Sequence, residues 1–458
     1  MINRCKPYIN FKDVISSIQN IDELTYDPIN KFEREVASYI GSKYALGVDQ
    51  GRTALIFGLK ALGIKSGDEI IVQSLICQVV IDAIIEVGAK PILVDNNIFN
   101  YNILINSIRP LISKDTKAII VAHLYGATTA MDEIIEIAQE NNLYLIEDCA
   151  HILGGKWKGK MAGSFGDIAF LSFNFDKPIS TGSGGMVLVN NSELIPNFEI
   201  YRNKVNRVEL DIDKNYVFAL LIQHTLTQKE NYKQTLSIDF GKNIINKYTQ
   251  LSETINNNLD YITNENDLCK LVEPYYRKEM NFFLMKRVQS FIKIGYNKLQ
   301  RMDEVLYDKN WNQSILMNKY RAQTGLINLK NIEKVNEFRN KNANIYVELL
   351  SDNESYSLPE YSSEIEPAFL RYTILAKKIE TKSIFKLSKE RGFELGNFNW
   401  FAPVHKLNRY STFRSTEMNK LENSEYISEH MVNLPTHYYV SEDNMFDICS
   451  ILNNISRC

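Results

Sequence analysis

Lys177 closes the run Leu171-Ser172-Phe173-Asn174-Phe175-Asp176-Lys177, and Gly182-Ser183-Gly184-Gly185 follows it. The apolar stretches at 168–173 and 186–189 read as strands, which leaves the lysine on the loop between them. A lysine held at a strand end can form a Schiff base with a carbonyl. A free lysine amine, with a pKa of about 10.4, is a poor nucleophile, so that chemistry asks for a sheltered pocket or a neighbouring cation. Most lysines are instead solvated surface groups. Taken alone, Lys177 does not separate the two readings.

Two more segments supply complementary chemistry. Leu143-Tyr144-Leu145-Ile146-Glu147-Asp148-Cys149-Ala150-His151 reads as a buried strand that delivers a carboxylate and an imidazole at its carboxyl end, where open α/β sheets bind ligands. Asp148 is placed to keep a pyridine nitrogen of pyridoxal phosphate protonated, and His151 to sit against the ring. Singly, Asp148 as a helix N-cap and His151 as a structural histidine serve equally well. Further upstream, residues 44–48 read as a strand, 49–53 as a turn and 54–62 as a helix with Leu55, Ile56, Leu59 and Leu62 on one side. A helix start bearing Gly51, Arg52 and Thr53 suits a phosphate: free amides, close backbone approach and a charge-assisted donor. Ser172 offers its hydroxyl to the same group.

Together these segments resemble the sugar aminotransferases of the DegT/StrS type, within the fold-type-I pyridoxal phosphate enzymes. The resemblance runs through Phe32 to Gly41, Gly51-Arg52-Thr53-Ala54-Leu55, Gly67-Asp68-Glu69, Gly88-Ala89-Lys90-Pro91 with Asp95, and His123-Leu124-Tyr125-Gly126. It continues through Glu147 to His151, Ser172-Phe173 with Lys177, and Gly184-Gly185, and resumes at 317–350, Pro403-Val404-His405 and Leu434-Pro435. Such co-occurrence in order is more specific than any one motif. It implies Lys177 as the cofactor-linked lysine and proton shuttle, Asp148 on the pyridine nitrogen, His151 beside the ring, and Gly51, Arg52, Thr53 and Ser172 around the phosphate.

The chain departs from the family pattern at several places. Ile76-Cys77 stand where members carry a threonine and an aromatic that stacks on the cofactor, which leaves Cys77 at that face. Ser183 replaces an acidic residue before the paired glycines. Ser314 falls where an asparagine reaches the partner subunit's phosphate, and Leu316 where an arginine is usual; serine still donates a hydrogen bond, whereas leucine replaces no cation. His405 and Trp400, in Trp400-Phe401-Ala402-Pro403-Val404-His405, are expected beside the substrate sugar.

Stepwise alternation of strands (44–48, 69–73, 91–95, 118–122, 143–147, 168–173) with helices such as 131–141 calls for an α/β fold, a mainly parallel sheet covered on both faces. The expected division is an N-terminal arm on the small domain (1–30), a large cofactor-binding domain (31–195), a mostly helical insert atypical of the family (196–312) and a small α+β domain (313–458). A net charge of -3 over 458 residues gives no support to nucleic-acid binding. Six scattered cysteines form no CxxC pair and no metal-ligand spacing, so neither disulfides nor a metal is expected. With no signal-type h-region and no membrane-length apolar run, a cytoplasmic location is expected. In the insert, residues 278–302 combine an apolar stripe with basic residues, a pattern of packed helices and also of membrane-surface helices; packing is the expectation.

The reading is a homodimeric aminotransferase that moves an amino group from an amino acid such as glutamate to a keto sugar, nucleotide-linked, in amino-sugar or surface-polysaccharide biosynthesis. Two alternatives stand beside it. One is another pyridoxal phosphate reaction, either acyl transfer or a dehydratase, though the related dehydratases replace the lysine with histidine. The other is a non-catalytic regulatory relative.

Overall fold

The computed structural model describes residues 2, 6–227, 249–275, 316–396, 403–413 and 420–456. Seven strands form the main sheet: β1 (Tyr44–Val48), β2 (Glu69–Gln73), β3 (Lys90–Val94), β4 (Thr116–Ala122), β5 (Tyr144–Asp148), β8 (Ile168–Ser172) and β9 (Gly185–Val189). Their order is β1-β9-β8-β5-β4-β2-β3, and β9 alone runs against its neighbours. The expected α/β architecture is therefore present, and every strand edge lies within two residues of its sequence reading. Alternation along each strand feeds two apolar layers: Ile70, Val72, Ala118, Ile120 and Ile146 point to one face, Ile71, Ile119, Val121 and Leu145 to the other. Parallel strands of this kind must be covered on both sides.

Helices α1 (Phe11–Gln19), α2 (Pro28–Ile40), α3 (Gly51–Ala61), α4 (Gln78–Glu86), α5 (Met131–Glu140), α6 (Ile195–Lys204), α7 (Leu210–Leu226) and α8 (Thr249–Asn257) belong to the first part of the chain. The later part carries α9 (Lys319–Leu329), α10 (Ile332–Leu350), α11 (Thr381–Glu390), α12 (Glu422–His430) and α13 (Glu442–Ile455). A small antiparallel sheet, β10 (Tyr356–Ser357), β12 (Tyr372–Ala376) and β13 (Met431–Leu434), shares its core with α10, α11 and α13. The short strand β11 (Ile365–Glu366) joins the hairpin β6 (Lys156–Trp157) and β7 (Lys160–Met161), tying the two parts together. No helix among the described residues is long and apolar enough to cross a membrane.

One feature differs from the sequence reading, and two others add to it. Residues 51–53 are the first turn of α3 rather than a loop, because extended Gln50 already serves as N-cap. Among the described residues, the N-terminal segment meets the small sheet's domain through Ile2 paired with Phe393 and Tyr8 against Tyr438. Its helix α1 buries Phe11, Val14, Ile15 and Ile18 in a cluster with Val217 and Leu221 from α7 and with Tyr320 from α9, the first helix of the 313–458 stretch, because that apolar stripe finds a matching one there. Third, α7 is internal to the fold despite lying in the stretch set apart as an insert: residues 217–226 are all buried. Its Tyr216 carbonyl presses so closely on the lysine loop that a Cβ at Gly182, where φ is 83°, would stand 2.0 Å from it. The helix expected at 278–302 lies outside the described residues.

Candidate active site

The carboxyl ends of β1, β8 and β5 converge. Register places Val48 opposite Gly185 and Gly185 opposite Ser172, so Asp49, Gln50 and Gly51 emerge beside Ser172. A Cβ on Gly51 would lie 3.2 Å from that of Ser172, and one on Gly185 would lie 2.4 Å from the Gln50 carbonyl carbon. Glycine is required because two backbones meet. The consequence is an α3 N-terminus whose first-turn amides have no intrahelical acceptor and open next to the Ser172 hydroxyl. Half-buried Arg52 stands in that turn, and Thr53 donates to the Asp49 carboxylate at 2.6 Å. Ser183 donates to the Asp49 carbonyl at 3.1 Å, so it braces the same turn.

Asp148 ends β5 and is buried, accepting from the Ala150 amide at 2.9 Å. Burial pushes its carboxyl up to about 6, against the pull of that amide, Lys177 and His123. Such a carboxylate lacks the full cationic partner that would hold it ionised, and a pyridinium nitrogen would be one. His151 is buried too, and desolvation with Lys177 and Arg371 nearby holds its imidazole well below the usual value, hence neutral. Cys77 caps α4, its thiol pushed up to about 11 by burial while feeling Lys177, Asp148 and Asp176. These residues therefore share one electrostatic space.

Lys177 is 7% exposed and belongs to a turn closed by its amide on the Asn174 carbonyl at 3.1 Å. Its Nζ lies 3.5 Å from Asp176 Oδ2, and Arg371 Nη2 lies 3.2 Å from that same oxygen. Against burial, which raises it, Lys177, Arg371 and His151 hold the Asp176 carboxyl well below the usual range. Arg371 is wholly buried and enters just before β12. Its approach is fixed because the Ala368 and Leu370 amides donate to the Gly126 and Tyr125 carbonyls at 2.8 and 2.9 Å. Asp176, Arg371 and the buried Arg321 were not singled out from the sequence. Only Asp176, adjacent to Lys177, carried a local signal.

His405, expected beside the substrate sugar, is buried. Its Nδ1 pairs with the Ser74 hydroxyl at 2.8 Å and its Nε2 with Glu425 at 2.9 Å, so both ring nitrogens are engaged within the protein. It pins the Val404 turn to the end of β2. Leu316 is a core residue, bridged to Val48 and Arg207, which accounts for an apolar side chain there. Ser314 and Trp400 lie outside the described residues. One group of possible metal ligands occurs among them, His123, Glu147 and Cys149. Glu147, however, accepts from the Gly163, Phe165 and Gly166 amides at 2.7 to 2.8 Å and pairs with His123 at 3.0 Å, which occupies its lone pairs as a structural brace.

Buried Asp148, the open α3 amides with Ser172, and a sheltered lysine between them fit pyridoxal phosphate by charge and donor type. GDP-perosamine synthase of Escherichia coli O157:H7 is 44% identical over 166 residues, 36% of this chain and 46% of that protein. The dTDP-3-amino-3,6-dideoxy-alpha-D-galactopyranose transaminase of Aneurinibacillus thermoaerophilus is 43% identical over 176 residues, 38% and 48% of the two. The chain spans about half the length of the curated relatives it matches. A solved aminotransferase from Psychrobacter cryohalolentis shares the fold over 98% of this chain and 97% of its own, with a TM-score of 0.69 at 21% identity. The DegT/DnrJ/EryC1/StrS aminotransferase family model matches residues 10–219 and 283–453, and the chain belongs to that family.

Proposed function

We propose that the protein is a pyridoxal phosphate-dependent aminotransferase that takes an amino group from an amino acid, glutamate in the first instance, and gives it to a nucleotide-linked keto sugar. The observation that carries this reading is the meeting of Lys177, Asp148 and His151 in one buried space beside the α3 N-terminus. The names of the relatives, a perosamine synthase and an amino-sugar transaminase, supply the acceptor class. Gly51, Arg52 and Ser172 would hold the phosphate, Thr53 would brace their turn through Asp49, and Cys77 would face the ring.

Bound pyridoxal phosphate supplies an electron sink for the carbanion formed when the donor loses its α proton. Asp148 keeps the pyridine nitrogen protonated, which deepens that sink. Lys177 would hold the cofactor through its amine, and its free Nζ would carry the proton taken from the donor α carbon. Neutral His151 would sit beside the ring without adding a competing charge. Asp176 and Arg371 fix where the lysine loop stands. Active sites shared between two subunits, with Ser314 reaching the partner's phosphate, belong to the same reading.

A panel of nucleotide-linked keto sugars, offered to protein preloaded with pyridoxamine phosphate, tests it. A true acceptor restores the yellow cofactor absorbance and yields an amino sugar. Failure of every sugar in the panel, or release of a dehydrated sugar instead, contradicts the reading.

A further inference from the structure

A buried ion pair lies behind the turn at Asp49 and Gln50. Arg321 on α9 and Asp213 on α7 are both fully buried, with Nε 2.5 Å from Oδ1. Asp213 holds more than Arg321, because its carboxylate also accepts from the backbone amides of Asn318, Tyr320 and Arg321 at 3.2, 2.9 and 3.1 Å. It therefore caps α9 while holding the guanidinium. Nη1 donates to the carbonyls of Asp49, at 3.2 Å, and Ser183, at 3.4 Å. Those carbonyls stand two residues before Gly51 and two before Gly185, the glycines whose backbones meet at Ser172. The plane is backed by Tyr216, whose ring centroid is 4.8 Å away. Nη2 is buried and has no hydrogen-bond partner among the described residues.

A buried guanidinium with an unsatisfied donor is costly, and proteins keep such groups where a ligand or its charge compensates. The Asp49 carbonyl that Nη1 holds belongs to the turn that leads into the α3 N-terminus. We propose that Arg321 is a cofactor-positioning residue: locked by Asp213, it fixes the Asp49-Gln50-Gly51 turn and turns the guanidinium end of the buried pair toward the site of the cofactor's phosphate. The fork of the guanidinium matters, since it must hold one carboxylate and two carbonyls together, which a lysine point charge cannot do. Leu316, where the family carries an arginine, supplies no cation, and Arg321 from the helix that begins three residues later does. This inference rests on the cofactor assignment proposed above.

Binding of two probes to the ligand-free protein tests it: pyridoxal 5'-phosphate and pyridoxal, which differ only in the phosphate. Arg321→Gln is expected to weaken pyridoxal 5'-phosphate about tenfold or more, the scale of one lost interaction with a charged group, and to leave pyridoxal within about twofold. Arg321→Lys, which keeps the charge and serves if the glutamine variant does not fold, should retain more of the preference for the phosphorylated probe than a neutral residue there. Equal weakening of both probes in the folded variant, or no change in either, overturns the inference and marks the pair as a packing device. If the native protein binds neither probe, the cofactor reading itself fails, and this inference with it.

Discussion

The candidate site has two sides built in different ways. On one side, Gly51, Asp148, Ser172 and Lys177 sit at or just beyond the carboxyl ends of β1, β5 and β8, set by local sequence and sheet register. On the other, Arg321, Arg371 and His405 arrive from the later part of the chain and are fixed by partners far away in sequence. Arg321 bonds a carboxylate 108 residues distant and Arg371 one 195 residues distant. The strand side supplies groups that would touch the cofactor; the later side holds those groups in position. Substitutions on the first side should therefore change chemistry with little loss of fold. Substitutions on the second should change stability or cofactor affinity first.

The largest effect expected short of losing Lys177 is at Asp148. Its folded carboxyl titrates near 6, above the ordinary value of 3.8, so folding favours the protonated form. The stability this group contributes is complete below about pH 4 and is lost as pH rises through about 6. In ligand-free protein, Asp148→Asn should thus raise stability at pH 8 by on the order of 2 kcal/mol, a gain that fades toward pH 4. The same variant, with cofactor bound, should turn over about a hundredfold or more slowly. Urea unfolding at the two pH values and kcat measure both. A pH-independent stability change with near-native turnover would place Asp148 on the structural side of the comparison.

A smaller effect is expected at His405, which sharpens the same division. His405→Gln breaks the chain from Ser74 to Glu425 and should lower stability by about 1 kcal/mol, leaving the KM for the sugar unchanged. A raised KM in a fully stable variant would return His405 to the substrate.

The difference between the sides also explains what the sequence disclosed. The sheet was legible because each strand is an apolar run between turn signals, and the phosphate turn because Gly51 stands between a strand and a helix pattern. Asp148 and Lys177 were legible as polar residues ending such runs. Arg321 was not, since nothing local tells a buried arginine from the solvated ones on neighbouring helices; its meaning comes from Asp213 and two carbonyls brought together by the fold. The burial of α7 was not legible for a related reason. Its residues 217–226 show no single apolar face because all of it is buried.

Covalent attachment of the cofactor tests the central claim most directly. After loading with pyridoxal phosphate and reduction with borohydride, peptide mapping by mass spectrometry should find the cofactor on the peptide that contains Lys177, and Lys177→Ala protein should bind it without any label being fixed. A label on another lysine, or none on the native chain, would contradict the assignment of Lys177 and the site built around it.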